Sequence, residues 1–246
     1  MNKRVAVVTG GIGGLGTEIC RSLARAGRTV IAADLGTRAE RIAEFKREVV
    51  GLDIRFEPID AGDFDRCAAL VRKIETDHGA LDILVNAAGI TRDGTLRKMD
   101  KTQWDAVMNV NLDSVFNMCR HAVDGMMARG FGRIVNISSV NGQTGQFGQT
   151  NYSAAKAGMH GFTMAMAREV ARKGVTVNSV SPGYCETALV MAIPDNIRAG
   201  IVEKIPVGRL GKPSEIARTV TFLTDDDAGY ITGANIPVNG GMFMSF

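Results

Sequence analysis

Three side chains between positions 139 and 156 could together reduce a carbonyl: Ser139, Tyr152 and Lys156. Tyr152 and Lys156 are four apart, so they share one face of a helix. Ser139 closes the apolar run Arg133-Ile-Val-Asn-Ile137, which reads as a buried strand. Reduction of a ketone leaves negative charge on oxygen, and that oxygen must then gain a proton. A phenol can supply the proton, and its ordinary pKa is about 10. A neighbouring ammonium favours the phenolate and is expected to lower that value. A serine hydroxyl can donate to the carbonyl oxygen and orient it. Tyr-x-x-x-Lys occurs in many helices by chance. It gains force from the serine ahead of it and from a glycine-rich turn near the N-terminus.

That turn is Gly10-Gly-Ile-Gly-Gly-Leu-Gly16, directly after the β-branched run Arg4–Thr9. Gly10, Gly14 and Gly16 leave room for a pyrophosphate, with Ile12 inside the loop. The helix that follows offers free N–H groups and the positive end of its dipole. Asp34 closes the second strand, where dinucleotide folds place an acid about 20 residues on to hold ribose hydroxyls. A carboxylate there repels a 2′-phosphate, and residue 12 is not basic. Both features favour NADH, while Arg38 keeps NADPH open. Asp60 is open between an acceptor for the adenine amino group and a helix cap or loop acid.

The elements that must position these groups alternate along the chain. Strands are expected near 4–9, 28–33, 54–59, 81–85, 133–137, 175–180 and 234–238. Helices fill the intervals, including a continuous one over 102–129 and one from about Asn151 to Gly174. Alternation of this kind predicts an α/β fold, a doubly wound parallel sheet with helices on both faces. The sequence Ser181-Pro-Gly-Tyr184 is expected to break the sixth strand. Residues 186–210, of mixed polarity with two prolines, read as a substrate lid. One domain over 1–246 is expected, with no linker or repeat.

The chain has 246 residues, a net charge of +3 and 45% hydrophobic content. These values suit one soluble domain and give no case for nucleic acid binding. Four scattered cysteines, with no zinc spacing, read as reduced thiols of a cytoplasmic protein, and no metal site is expected. The start of the chain runs into a strand and is expected to carry no signal peptide, and no apolar run is long enough to span a bilayer. His78, His121 and His160 read as structural or surface residues, and Asp225-Asp-Asp227 as a solvated loop.

Taken together, Thr9-Gly10-x-x-x-Gly14-x-Gly16, Asn86-Ala-Ala-Gly89, Ser139, Tyr152-x-x-x-Lys156 and Pro182-Gly183 resemble the short-chain dehydrogenase/reductase family. The resemblance covers essentially the whole chain. It implies an extended Rossmann fold with seven parallel strands, assembled as a homotetramer. It also implies that Tyr152 is the general acid, that Ser139 orients the carbonyl, and that Lys156 holds the nicotinamide ribose and tunes the tyrosine. Asn111 corresponds to the residue that holds a water in the proton relay. Asn86 and Gly89 would line the adenosine side, Pro182 and Gly183 would belong to the cofactor site, and Thr187 would bond the nicotinamide amide or the phosphates. The family more often has Asn where this chain has Ala87.

A narrower resemblance is to the acetoacetyl-CoA reductases of polyhydroxyalkanoate synthesis. The segments Asn136–Tyr152, Gly89-Ile-Thr-Arg-Asp93 and Ser181-Pro-Gly-Tyr184 carry it. It implies reduction of acetoacetyl-CoA to (R)-3-hydroxybutyryl-CoA, with Gln146, Gln149 and Tyr184 binding the acetoacetyl and pantetheine portions. A polar loop bonding to itself is the alternative for these three. Arg92, Arg97 and Lys98 are open between contacts to CoA phosphates and a solvated surface. Two other readings stand beside this one, a 3-oxoacyl-(acyl-carrier-protein) reductase and a dinucleotide-sensing binding protein without catalysis.

Overall fold

The computed structural model describes residues 3–244. Its centre is a sheet of short β-branched runs: β1 (Val5–Thr9), β2 (Thr29–Asp34), β3 (Ile54–Pro58), β4 (Ile83–Asn86), β5 (Gly132–Ile137), β6 (Val175–Pro182) and β7 (Asn235–Val238). β1, β4, β5 and β6 are buried at every position, as expected of parallel strands covered on both faces. The order is β3-β2-β1-β4-β5-β6-β7, and every pairing is parallel. The seven-stranded, doubly wound α/β expectation therefore holds. Between β1 and β4 the chain order reverses, and the crevice that ligands use in open sheets opens there, beyond the strand C-termini.

The helices are α1 (Gly14–Arg25), α2 (Ala39–Glu48), α3 (Phe64–His78), α4 (Lys101–Met108), α5 (Ser114–Arg129), α6 (Asn141–Thr144), α7 (Thr150–Val170), α8 (Ala188–Met191), α9 (Asp195–Glu203) and α10 (Pro213–Leu223). One core lies between the sheet and α3, α5 and α7, built on residues such as Leu70, Ile74, Met118 and Met159. The other lies against α1, α2 and α10, around Ile19, Leu23, Phe45 and Val220. Both faces of the sheet are thus sealed, which makes its central strands a rigid mount for side chains at their ends.

Three sequence expectations change. The helix expected over 102–129 is interrupted: Asn109–Asp113 forms a π turn between α4 and α5. The apolar stripe runs unbroken through it, so periodicity cannot reveal it. The extra residue frees carbonyls, and side chains take them up. Asn111 Nδ2 donates to Val107 O at 2.9 Å and Ser114 Oγ to Val110 O at 2.7 Å. Next, β6 runs on through Ser181 and Pro182 and pairs them with β7. Proline lacks a donor, but its carbonyl accepts from Val140 N–H at 2.8 Å, which holds the strand in register. The acidic run at 225–227 is not a plain solvated loop. Asp225 pairs with Arg28 and Asp226 with Arg4, and the carbonyls of both accept from Arg133. No helix among the described residues is long and apolar enough to cross a membrane.

Candidate active site

The glycine loop leaves β1 and enters α1 in a space that admits no side chains. Gly10 has φ +64°, and a Cβ there would lie 2.7 Å from the Ala87 carbonyl. A Cβ at Gly16 would lie 2.1 Å from the Gly10 oxygen. Thr187 packs over the start of α1, its Cβ 3.0 Å from where a Gly14 side chain would begin. The loop borders a crevice of about 450 Å³ that Ser139, Tyr152, Lys156, Pro182, Gly183 and Tyr184 also line. One hollow thus contains the phosphate-type cradle, the ends of β5 and β6, and the first turns of α7. Its residues fit a dinucleotide: close backbone approach at one end, a free helix N-terminus, and a hydroxyl, phenol and ammonium at the other.

β5 ends one residue before Ser138, and Ser139 follows at the crevice wall, 9% exposed. Its Oγ accepts from Asn141 N–H at 3.1 Å. The α7 helix begins at Thr150 and presents Tyr152 and Lys156 toward the same wall. Asn151 anchors that first turn from a fully buried position, donating to the Arg92 carbonyl at 3.0 Å. Lys156 Nζ donates to Ile137 O at 2.8 Å and stands 5.6 Å from the centre of the Tyr152 ring.

Asn111 is fully buried in the π turn. Its Nδ2 also donates to Ile90 O at 2.9 Å, while its Oδ1 has no partner. That oxygen lies 2.8 Å from the position a Gly89 Cβ would take, and Lys156 Nζ lies 3.6 Å from the same position. A buried acceptor left open beside an ammonium suits a bridging water.

The electrostatics differ from the sequence expectation. Burial raises the Tyr152 phenol above its ordinary value, and the hydrogen bond from Ser139 only partly opposes this. Lys156 does not lower it. Burial instead brings Lys156 down to about 7, since its ammonium has lost water and gained no carboxylate. The spacing of the two residues predicts their proximity but carries no information about desolvation.

Several predicted residues lie elsewhere. Ile12 is fully buried in the core on the α1 side and does not line the crevice; Gly13 and Leu15 do. Asn86 turns inward from β4 and donates to Asn136 Oδ1 at 2.9 Å, leaving Ala87 and Gly89 on the crevice wall. Asp60 is exposed, outside the crevice lining, and accepts from Gly62 N–H at 2.9 Å, while Asp63 caps α3. Asp34 ends β2 beside the glycine loop and accepts from Leu35 N–H at 2.8 Å and Ile12 N–H at 3.4 Å. Arg38 lines the crevice itself. Gln146 is exposed and outside the lining. Gln149 lines it with its amide held from both sides, donating to Asp93 at 3.0 Å and accepting from Asn141 at 2.9 Å. Thr91, Asn141 and Leu189 line the crevice unpredicted. For Thr91 and Asn141 the signal available was adjacency to motif residues; Leu189 gave none.

Cys185 is buried and its thiol is pushed up to about 11, so it is an inert neighbour. Among the described residues no three His, Cys, Asp or Glu side chains cluster in a way that could hold a metal ion.

A family model described as enoyl-(acyl carrier protein) reductase matches residues 10–243. The chain is 58% identical over 243 residues to an acetoacetyl-CoA reductase of Allochromatium vinosum, covering 98% of this chain and 99% of the relative. It is 50% identical over 246 residues to an acetoacetyl-CoA reductase of Cupriavidus necator, covering 99% and 100%. To the 3-oxoacyl-(acyl-carrier-protein) reductase FabG of Vibrio harveyi it is 44% identical over 241 residues, covering 98% of both. With the glycine cradle, the seven-stranded parallel sheet and the Ser-Tyr-Lys wall, these matches show that the chain belongs to the short-chain dehydrogenase/reductase family of oxidoreductases.

Proposed function

We propose that this protein is an acetoacetyl-CoA reductase, forming (R)-3-hydroxybutyryl-CoA for polyhydroxybutyrate synthesis. The convergence of Ser139, Tyr152 and Lys156 on the crevice that holds the glycine loop carries the reading. A bound reduced nicotinamide supplies the hydride. Ser139 donates to the 3-keto oxygen and holds it facing Tyr152. The raised phenol stays protonated at neutral pH, so Tyr152 is loaded as the acid that protonates the developing alkoxide. Lys156, near 7, can return a proton to the phenolate, and the unpartnered Asn111 oxygen is free to accept from a relay water beyond it. Gly10, Gly14, Gly16, Gly89, Pro182, Gly183 and Thr187 form the dinucleotide's walls in this reading. The Gln149 amide and the Tyr184 phenol face the thioester.

The greater identity to acetoacetyl-CoA reductases than to the FabG relative supports the CoA thioester over the carrier-protein thioester. For the cofactor we infer a preference for NADH, supported by the Asp34 carboxylate at the end of β2, where it would face a 2′-phosphate. Arg38 is the opposing charge. Four buried free thiols support a reducing, cytoplasmic setting. The outer faces of α5 and α7 enclose an apolar hollow of about 570 Å³ lined by Phe116, Val123, Met127 and Phe162, a surface that a homotetramer would cover.

Initial rates with NADH and with NADPH, on acetoacetyl-CoA and on acetoacetyl carrier protein, test the substrate and cofactor readings together. Acetoacetyl-CoA with NADH is expected to turn over fastest. Faster reduction of the carrier-protein thioester would make the protein a 3-oxoacyl-(acyl-carrier-protein) reductase. Equal or better rates with NADPH would assign Arg38, not Asp34, the deciding charge. No reduction of either thioester would leave a dinucleotide-binding role.

A further inference from the structure

His160 follows Lys156 by one helical turn on α7 and is half-buried against the ends of two strands. Its Nε2 lies 2.8 Å from Ser138 Oγ and 3.2 Å from Ser181 Oγ. Ser138 is the neighbour of Ser139 at the end of β5. Ser181 precedes Pro182 and Gly183 in β6. One ring nitrogen therefore joins the catalytic helix to both strand ends that border the reacting carbonyl.

The partners of the two serines determine which way the protons run. Ser138 Oγ is 2.9 Å from the Lys156 carbonyl, which can only accept, so the hydroxyl proton goes there. Ser181 Oγ donates to Asn235 Oδ1 at 2.8 Å, and Ser179 donates to the same oxygen at 3.0 Å. Both serine oxygens then face His160 with lone pairs. Its Nε2 must carry the hydrogen, shared between them, and the ring is the Nε2–H tautomer. The loop closes on Lys156: helix backbone to Ser138, Ser138 to His160, and His160 back to the helix. Ser138 and Ser181 are 3% and 0% exposed, so water cannot replace the donor.

We propose that His160 is a positioning residue, whose Nε2–H locks α7 to the ends of β5 and β6 and so keeps Ser139 and Lys156 in reacting geometry. The charged group acting on the ring is Lys156 on its own helix. Ser138 on β5, Ser181 on β6 and Asn235 on β7 present neutral groups. Burial and the Lys156 ammonium both lower the His160 pKa, so the neutral ring is the form present at pH 7.

The proposal rests on the reductase reading, but its first test needs no substrate. Nitrogen NMR of histidine-labelled protein is expected to show His160 neutral at pH 7 with the hydrogen on Nε2. A hydrogen on Nδ1 would overturn the network, whatever the protein reduces. The second test compares His160→Leu with His160→Gln, whose amide N–H can reach the same place. Per folded molecule, His160→Leu is expected to lose about tenfold in kcat with KM for the thioester within about twofold. His160→Gln is expected to recover most of that loss. Wild-type kcat in His160→Leu, or equal loss in both variants, would refute a positioning role. If His160→Leu does not fold, Ser181→Ala takes its place: a fall in kcat at constant KM supports the lock, and an unchanged kcat refutes it. A wild-type protein inactive on both acetoacetyl-CoA and the carrier-protein thioester would sink the reductase reading and leave the tautomer result standing.

Discussion

Two regions border the same crevice and are built in opposite ways. The centre, made by the ends of β5 and β6, the π turn and α7, is buried nearly throughout. Ser138, Asn151 and Lys156 are at most 3% exposed, and Asn111 and Ser181 are fully buried, each tied by hydrogen bonds to backbone or to a neighbour. The arch over residues 186–210 buries only Ile205 and Leu210, and leaves Leu189, Met191, Ile197 and Val207 half or more exposed. Proton transfer depends on fractions of an ångström, and only crowded, fully bonded elements hold side chains that well. A surface that must admit a bulky thioester cannot be sealed in the same way. Low local stability is the ordinary property of segments that cover a ligand.

The largest effect should come from the centre. Tyr152→Phe removes the acidic proton and is expected to lower kcat by about 10³-fold with little change in KM. Steady-state rates check this, and reduction at an unchanged rate would mean that another group is the acid.

Lys156→Met is expected to abolish most turnover and yet to stabilise the fold at pH 7. The sign follows from the shift. The folded pKa, about 7, lies below the ordinary 10.5, so the unfolded chain binds the proton more tightly. The stability this group contributes is complete above pH 10.5 and is lost as pH falls through 7. The gap in urea midpoint between Lys156→Met and wild type should therefore be widest near pH 7 and close as pH rises toward 10. A gap that does not vary with pH would remove the depressed lysine from the account.

The smallest effect belongs to the arch. Leu189→Ser exposes no core and is expected to raise KM for the thioester roughly fivefold, from about 1 kcal/mol of apolar contact, with kcat unchanged. A fall in kcat instead would mean that the arch helps to set the reacting geometry, and the contrast between the two regions would weaken.

The residue spacing was informative where side-chain direction follows from local geometry. Tyr152 and Lys156 meet because residues four apart on a helix must share a face, and Ser139 joins them because it ends a strand of the same sheet. Ile12 and Asn86 fall outside the crevice lining for the converse reason. A loop residue has no fixed period, and a strand buried on both faces gives no sign of which way a polar side chain turns. Gln146, four residues from the start of α7, sits on a loop whose path spacing does not define.

Strand and helix order, the glycine cradle and the shared face of Tyr152 and Lys156 follow from the chain itself, because backbone sterics and hydrophobic periodicity act over a few residues. The interrupted helix at Asn111, the lysine near 7, the raised tyrosine and the tautomer of His160 were decided only by tertiary structure. Each depends on how much water and how many partners surround a group. Those quantities exist only after distant segments have packed together.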